Sequence, residues 1–459
     1  MKYIHHLTSF SWRTALIVGI TFRLLCWCFQ VKPEGDDGNR YYAESQNLVD
    51  YGIFSSETGN PPPPTAHDMP LWPGTMAIFL KTTGSRTCTV RLAGLLNLAL
   101  YAGAGMLLAA LLKRQPFELN ERGRALALWV FVGLPDTWAY SLFHMPDTMA
   151  LFFLTLALYL FARSCYGRGA WLLASAVAFS AAIYSKPICL PLAMAFALAS
   201  LIVSPHRWLK RLVLTASLVS LILLALSPWV LRNKRAFGTA GLTTISGTNL
   251  YSCNAGWMIN SWPAAKRQAA LAERATFEES IQSLDLMAQS KAKGKFAREE
   301  LKRYWKEYLL FTLKSHPRLY FGTGTLAFLR YFGLEGACTA LEEKTGHGSF
   351  RAPATQSDRA LAYTLQAIAF GLLGLLGSCI LIGAGRGLYA AIVSLRPAAC
   401  WLTPTVVAWS FAFGGILVCA LVIGPVVATR YRFIMLPFFA IFAGFALRAP
   451  PPSQPLQDA

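Results

Sequence analysis

The chain has 459 residues, 54% of them hydrophobic and 14% charged, with a formal net charge of +19. Soluble domains carry about 25% charged residues, whereas here the apolar residues fall in blocks of about 20, enough to cross a bilayer core of roughly 30 Å. A soluble multidomain enzyme is excluded, and the excess of bases in short loops is explained by membrane topology, so no nucleic-acid partner is expected.

The first apolar block runs from about Ala15 to Phe29, with Arg23 as its main interruption. No small-x-small cleavage site follows it, so it reads as an uncleaved first span with a cytoplasmic N-terminus. A polar stretch, residues 31–70, holds seven acids (Glu34, Asp36, Asp37, Glu44, Asp50, Glu57, Asp68) against Lys32 and Arg40. It ends in Pro61 to Pro64, a stiff extended element, and Pro70–Leu80 is expected to dip into the membrane without crossing. Further spans are predicted near Val90–Leu112, Ala125–Phe143, Thr148–Phe161, Ala170–Tyr184, Ile188–Val203 and Leu212–Val230. Turns with Lys113, Arg114, Arg122 and Arg124, then Arg163 and Arg168, then Arg207, Lys210 and Arg211 alternate with His144 to Asp147 and Ser185-Lys186-Pro187. The basic turns belong in the cytoplasm, so the first loop, Asp147 and Lys186 face outward together.

Residues 231–316 form a large outer polar segment, with a helix expected from Ala264 to Lys314. Pro317–Phe332 reads as interfacial. The last spans fall near 360–384, 399–424 and 426–447, with Arg386 and Arg396 in a cytoplasmic turn. This divides the chain into an N-terminal transmembrane module (1–230) carrying the first outer loop, an extracytoplasmic helical loop (231–316), a C-terminal transmembrane module (317–447) and a disordered tail (448–459). The total is about ten spans, or eleven if Pro317–Phe332 crosses. The ten cysteines lie mostly within or beside apolar blocks without a C-x-x-C pair, and read as small apolar filler.

Several residues admit more than one role. Asp36 and Asp37 suit a general base, a cation site or a solvated loop. Asp147 suits a helix cap, and Lys186, Arg430 and Arg432 suit helix-end anchoring. Arg232 beside Trp229 suits an interface anchor. Asp136, inside the third predicted span, either faces a wet cavity or binds Arg23. His67-Asp68 among prolines reads as a loop pair rather than a metal site.

A series of short motifs runs through the chain. Asp37, Tyr41, Asn47-Leu48, Gly52, Phe54-Ser55, Pro70-Leu71-Trp72-Pro73 and Arg91-Leu92 come first. Pro146-Asp147, Ser185-Lys186-Pro187, Pro228-Trp229-Val230-Leu231-Arg232-Asn233 with Phe237-Gly238, and Gly247-Thr248-Asn249-Leu250 follow. His316-Pro317 and Arg430-Tyr431-Arg432-Phe433 with Pro437 close the series. In order and spacing it resembles the GT-C-fold glycosyltransferases that use polyprenyl-phosphate sugars, among them the protein O-mannosyltransferases, the lipid A aminoarabinose transferases and their bacterial relatives. The pattern departs at Gly38, where many members have Glu, at Tyr42, an added aromatic, and at Ser45, which replaces a usual Ala.

The resemblance implies a GT-C-like fold of about ten or eleven helices, with short juxtamembrane helices in the first outer loop and a larger central outer helical loop. It implies hexosyl or pentosyl transfer, with inversion, from a polyprenyl-phosphate donor to a glycan, lipid or protein acceptor. Asp37 and Asp147 would be catalytic. Lys186, Arg232, Arg430 and Arg432 would hold the donor phosphate, and Asp36, Tyr41, Tyr42 and Asn249 would contact substrate. Asp37, Asp147, Lys186, Arg232 and Arg430 are then expected to converge on one outward-facing cavity. No metal ligand is assigned, although a divalent ion between Asp37 and Asp147 stays open. Membrane lipid is the other expected partner, in a bacterial inner membrane with the site facing the periplasm. The rival reading is a flippase or binding subunit for lipid-linked sugars; the absence of internal repeats and the asymmetry of the outer loops favour an enzyme.

Overall fold

The computed structural model describes residues 11–31, 37–165, 170–203, 207–345, 353–394, 404–424 and 429–447. Among these residues every regular element is a helix, with no strand. The predicted tail (448–459) and Asp36 lie outside the described residues.

Helix α1 (Trp12–Cys28) is followed by the first polar segment, which contains α2 (Gly38–Tyr51) and α3 (Leu71–Thr83). Then come α4 (Arg86–Leu112), α5 (Glu121–Gly133), the single-turn α6 (Asp136–Tyr140), α7 (Asp147–Cys165), α8 (Ala170–Ser185), α9 (Cys189–Val203) and α10 (Trp208–Phe237). Among the described residues, five helices are long and apolar enough to cross a membrane: α4, α7, α10, α18 (Gln356–Ser394) and α19 (Pro404–Ile423). Shorter apolar helices, α8, α9 and α20 (Arg432–Phe445), complete the bundle around which the core forms. Every residue of α20 is buried; it packs on α5, α18 and α19, with α5 in turn on α1. An all-round apolar helix belongs in a protein core or in lipid, and this one lies in the core of the bundle.

Four sequence expectations need correction. The third predicted span is not continuous: α5 stops at Gly133 and the chain restarts at Asp136, because Pro135 has no amide hydrogen to extend the helix. Arg386 lies inside α18 rather than in a turn, its Nη1 donating to Ala446 O at 2.6 Å, while Arg396 lies outside the described residues. The predicted helix 264–314 is three helices: α13 (Ala264–Ser280), α14 (Leu286–Arg303) and α15 (Trp305–Phe321). The first break forms because Asp285 accepts from the amides of Met287 and Ala288, both at 2.9 Å, and so caps a new helix. Pro317 belongs to α15, and a separate short helix, α16 (Thr325–Tyr331), follows it.

Two short segments precede α13 and α14: α11 (Ile245–Asn249), running through a π-helical turn into α12 (Gly256–Asn260). α11 and α14 are held by close approach. A Cβ on Gly247 of α11 would lie 1.9 Å from Ser290 O of α14, so only glycine fits there. α17 (Glu335–Thr345) packs on α18.

Candidate active site

Four chain segments bring their charges to one place. Asp37 immediately precedes α2 and Asp147 opens α7. Lys186 follows the last residue of α8, and Arg430 sits in a single 3-10 turn before α20. α7 packs against α8 and against α20, which sets the start of α7 beside the end of α8 and the start of α20. An acid in the first turn of a helix and a base just beyond a helix end both complement the helix dipoles.

The turn leading into α7 is fastened from two sides. Trp72 Nε1 donates to His144 O at 3.1 Å, and Asn97 Nδ2 donates to Phe143 O at 2.7 Å and to Met145 O at 3.2 Å. Asp147, fully buried, then forms an ion pair with Lys186 through Oδ1, while its Oδ2 is buried with no hydrogen-bond partner. Lys186 Nζ lies 5.2 Å from the centre of the Tyr431 ring. Burial pushes the Lys186 ammonium down, Asp147 pulls it back up, and nearby Arg430 lowers it again.

Asp37 is held at both oxygens. Arg430 Nη1 donates to Oδ2 at 2.7 Å and Arg40 Nη1 to Oδ1 at 2.9 Å. Burial works against the carboxylate, but the charges and hydrogen bonds of Arg430 and Arg40 outweigh it and bring its pKa to about 2. Arg40 is anchored behind: its Nε donates to Asp68 Oδ2 at 2.5 Å. Glu44 is fully buried beside Asp68; burial, reinforced by the Asp68 charge, raises its pKa well above the usual carboxylate range. Both carboxyl oxygens of Glu44 are buried without a hydrogen-bond partner, which disfavours its charged form. Tyr41 lines the same space, its phenol raised well above its ordinary value by burial first and then by Asp68 and Asp37.

Of the five residues expected to converge, Asp37, Asp147, Lys186 and Arg430 do. Arg232 does not join them. Its Nη1 donates to Thr65 O at 2.8 Å and its Nη2 to Phe54 O at 3.1 Å, so it clamps the first loop. Its neighbours on α10 continue the clamp: Trp229 Nε1 donates to Leu242 O at 2.8 Å and Asn233 Nδ2 to Gly241 O at 2.9 Å. Arg432 is also elsewhere. It pairs with Asp136 at 2.6 Å and donates to Tyr320 O and Gly322 O, at 2.6 and 2.7 Å, leaving it no room for a phosphate. Asp136 therefore takes Arg432 rather than Arg23, whose guanidinium is occupied by Ser141, Gly19 O, Tyr101, Val132 O and Thr137.

Tyr42 points to a different neighbour from Tyr41: Arg86 stacks on its ring, 4.7 Å from the centre. Asn249 Oδ1 accepts from Cys253 Sγ at 3.9 Å and makes no hydrogen bond with the four converging charges. Asn47 and Ser55 brace the loop, with Asn47 Nδ2 donating to Ser55 O at 2.8 Å and Ser55 Oγ donating to Pro63 O at 2.5 Å. Ser45, the departure from Ala, ties α2 to α3 by donating to Pro73 O at 3.0 Å.

The site residues that sequence reasoning did not select are Arg40, Asp68, Glu44 and Tyr431. Their signal is helical spacing: Asp37, Arg40, Tyr41 and Glu44 stand at i, i+3, i+4 and i+7, one face of α2. Asp68 carries no such signal, because it reaches that face from a separate loop. The donor set does not suit a divalent ion. Asp37 is bound by two arginines and Asp147 by a lysine, and no group of three His, Cys, Asp or Glu able to hold a metal occurs among the described residues.

No protein-family model and no curated protein matches the sequence. Solved structures do. The apo oligosaccharyltransferase of Archaeoglobus fulgidus superposes with a TM-score of 0.52 at 13% identity, over 95% of this chain and 50% of that one. The same enzyme, AglB, in complex with an inhibitory peptide and a dolichol-phosphate gives 0.51 at 14% identity, with 95% and 50% covered. This chain has the GT-C fold. ArnT of Cupriavidus metallidurans bound to undecaprenyl phosphate aligns at a TM-score of 0.38 and 15% identity, over 94% of this chain and 76% of that one. The chain spans about half the length of the oligosaccharyltransferase. With its apolar helices, the GT-C fold makes this an integral membrane protein.

Proposed function

We propose that the protein is a membrane glycosyltransferase that moves a sugar, with inversion, from a polyprenyl-phosphate donor to a hydroxyl acceptor outside the cytoplasm. The observation that carries this reading is the Asp37–Arg430 pair lying beside the Lys186–Asp147 pair. It supplies a carboxylate to take a proton and two cations to receive a phosphate within one buried cluster. In the GT-C fold such an arrangement suits transfer from a lipid-linked anion, and AglB, which shares the fold, has been solved with a dolichol-phosphate.

In this reading Asp37 accepts the proton of the acceptor hydroxyl as its oxygen attacks the anomeric carbon. The bond from that carbon to the phosphate oxygen breaks, and its electron pair leaves with the lipid phosphate. Arg430 and Lys186 stabilise the charge that grows there; the guanidinium matches two phosphate oxygens and the ammonium acts as a point charge. Asp147 keeps Lys186 in place, and its unpartnered Oδ2 is an acceptor available to a substrate hydroxyl. Tyr41 forms part of the wall, and Asp36 lies one residue from the base. Attack from the face opposite the phosphate inverts the anomeric centre. The alternation of basic turns supports an outward-facing site, and the family resemblance suggests a bacterial inner membrane with the site toward the periplasm. The acceptor class is a glycan, a lipid or a protein.

The test uses purified protein in lipid nanodiscs with radiolabelled polyprenyl-phosphate sugars and an envelope extract as acceptor. Labelled sugar covalently transferred to an acceptor, with the anomeric configuration opposite to the donor's by NMR, is the expected result. Movement of intact donor across proteoliposomes without transfer would instead identify a carrier.

A further inference from the structure

The two arginines on Asp37 are not equivalent. Arg40 is fixed from behind: its Nε and Nη2 face Asp68, at 2.5 and 3.4 Å, and Asp68 is backed by buried Glu44. It is bound at both ends, to Asp37 and to Asp68. Arg430 makes one charged hydrogen bond, to Asp37 Oδ2, and its Nε is buried with no hydrogen-bond partner. A buried guanidinium nitrogen without an acceptor costs free energy, so Arg430 gains from any anion that satisfies Nε and Nη together. Lys186 lies close enough to Arg430 for the two cations to repel, which favours an anion between them.

We propose that the two oxygens of Asp37 have separate duties. Arg40, anchored by Asp68, is a positioning residue that orients the carboxylate through Oδ1, and Arg430 is a removable cap on Oδ2 that the donor's phosphate draws away. This deepens the transferase reading and rests on it. While the site holds no phosphate, Asp37 is a poor proton acceptor, because two guanidiniums stabilise its charged form. Once the donor phosphate takes Arg430, Oδ2 is both uncapped and more basic, and Arg40 still holds its direction. The donor thereby arms the base, and productive binding is ordered with the donor first. The step balances: the proton lost by the acceptor resides on Asp37 as the leaving lipid phosphate gains one negative charge. The charged or titratable groups facing Asp37 are Arg40 and Tyr41 from α2, Asp147 from α7, Lys186 after α8, and Arg430 and Tyr431 before α20. Asp68 and Glu44 stand behind Arg40.

The test measures Asp37 in nanodiscs without acceptor or turnover. Modification by dicyclohexylcarbodiimide, which attacks protonated carboxyls, is followed by mass spectrometry against pH, alone, with undecaprenyl phosphate, or with inorganic phosphate. Undecaprenyl phosphate is expected to raise the half-modification pH of Asp37 by about one unit or more, since an opposite charge is withdrawn. Arg430→Ala should show the raised value without lipid and no further shift with it. A shift with the lipid alone assigns the seat to the lipid-linked ester, and a shift with both probes assigns it to the phosphate group; either supports the exchange. An unmoved half-modification pH, with lipid shown by extraction to be retained, overturns it. For Arg40, the variants Arg40→Gln and Arg40→Lys are expected to lower kcat roughly ten-fold or more while donor KM stays within about three-fold, as loss of orientation predicts. A raised donor KM with unchanged kcat would make Arg40 a phosphate ligand and overturn the division. If the shift occurs but Asp37→Asn retains turnover, the exchange stands and the assignment of Asp37 as base fails, so the two are separable.

Discussion

Replacing Asp37 by Asn removes one charge and little volume, and its consequences follow from the two arginines. The folded carboxyl sits at about 2 against an ordinary 3.8, so the charged form is favoured by about 2 kcal/mol. Because the folded value is depressed, this stability is present above about pH 4 and is lost as pH falls toward 2. Wild type should therefore resist thermal unfolding better than Asp37→Asn at pH 5–7, by about 2 kcal/mol, and the two should converge near pH 2. Turnover has a separate expectation: loss of a general base lowers kcat by about 100- to 10,000-fold. Donor affinity should not fall, since Asn competes with a phosphate for Arg430 less well than Asp does. The assay pairs transfer of radiolabelled sugar with lipid-phosphate retention and thermal melting on the same preparation. A correctly folded Asp37→Asn protein with turnover within two-fold of wild type would refute the base role. Equal melting of the two proteins across pH 3–7 would refute the electrostatic argument.

Other perturbations separate structure from chemistry. Lys186→Ala strands the buried carboxylate of Asp147 and should cost about 3–5 kcal/mol in stability, read by chemical or thermal denaturation, whereas Lys186→Ala/Asp147→Ala should recover part of it. Arg432→Ala breaks the buried pair with Asp136 and should destabilise by about 3–5 kcal/mol while the residual folded protein keeps the donor KM of wild type; a selective rise in donor KM would restore Arg432 as a phosphate ligand. Arg232→Gln should speed proteolysis within residues 54–66 without weakening lipid-phosphate retention. Gly247→Ala forces a methyl into Ser290 O and should lower stability by about 1–3 kcal/mol, measured by thermal melting.

Most of the architecture was legible because bilayer-spanning segments announce themselves by length and apolarity. The starts and ends of α4, α7, α8 and α9 fall within a few residues of the expected ones. Where the reading missed, a local feature interrupted an otherwise regular pattern: Pro135 divided one span, and Asp285 capped a new helix inside a sequence whose composition suits one long helix. The site was legible in part. Asp37, Tyr41, Asp147, Lys186 and Arg430 were selected and come together. Arg232 and Arg432 were selected for their charge, yet their guanidiniums are consumed by backbone carbonyls and by Asp136.

The sequence by itself determined the solvent of this protein, the order of its helices and a short list of charges near helix ends, because these depend on residue type and spacing along the chain. Only the tertiary structure decided which cation meets which anion. Asp37 and Arg430 are hydrogen-bonded across a separation of 393 residues, and Asp136 and Arg432 across 296. Which of two arginines, two positions apart in the chain, reaches the Asp37 carboxylate depends on where one turn of 3-10 helix gives way to α20. That turn directs Arg430 toward Asp37 and leaves Arg432 inside the bundle.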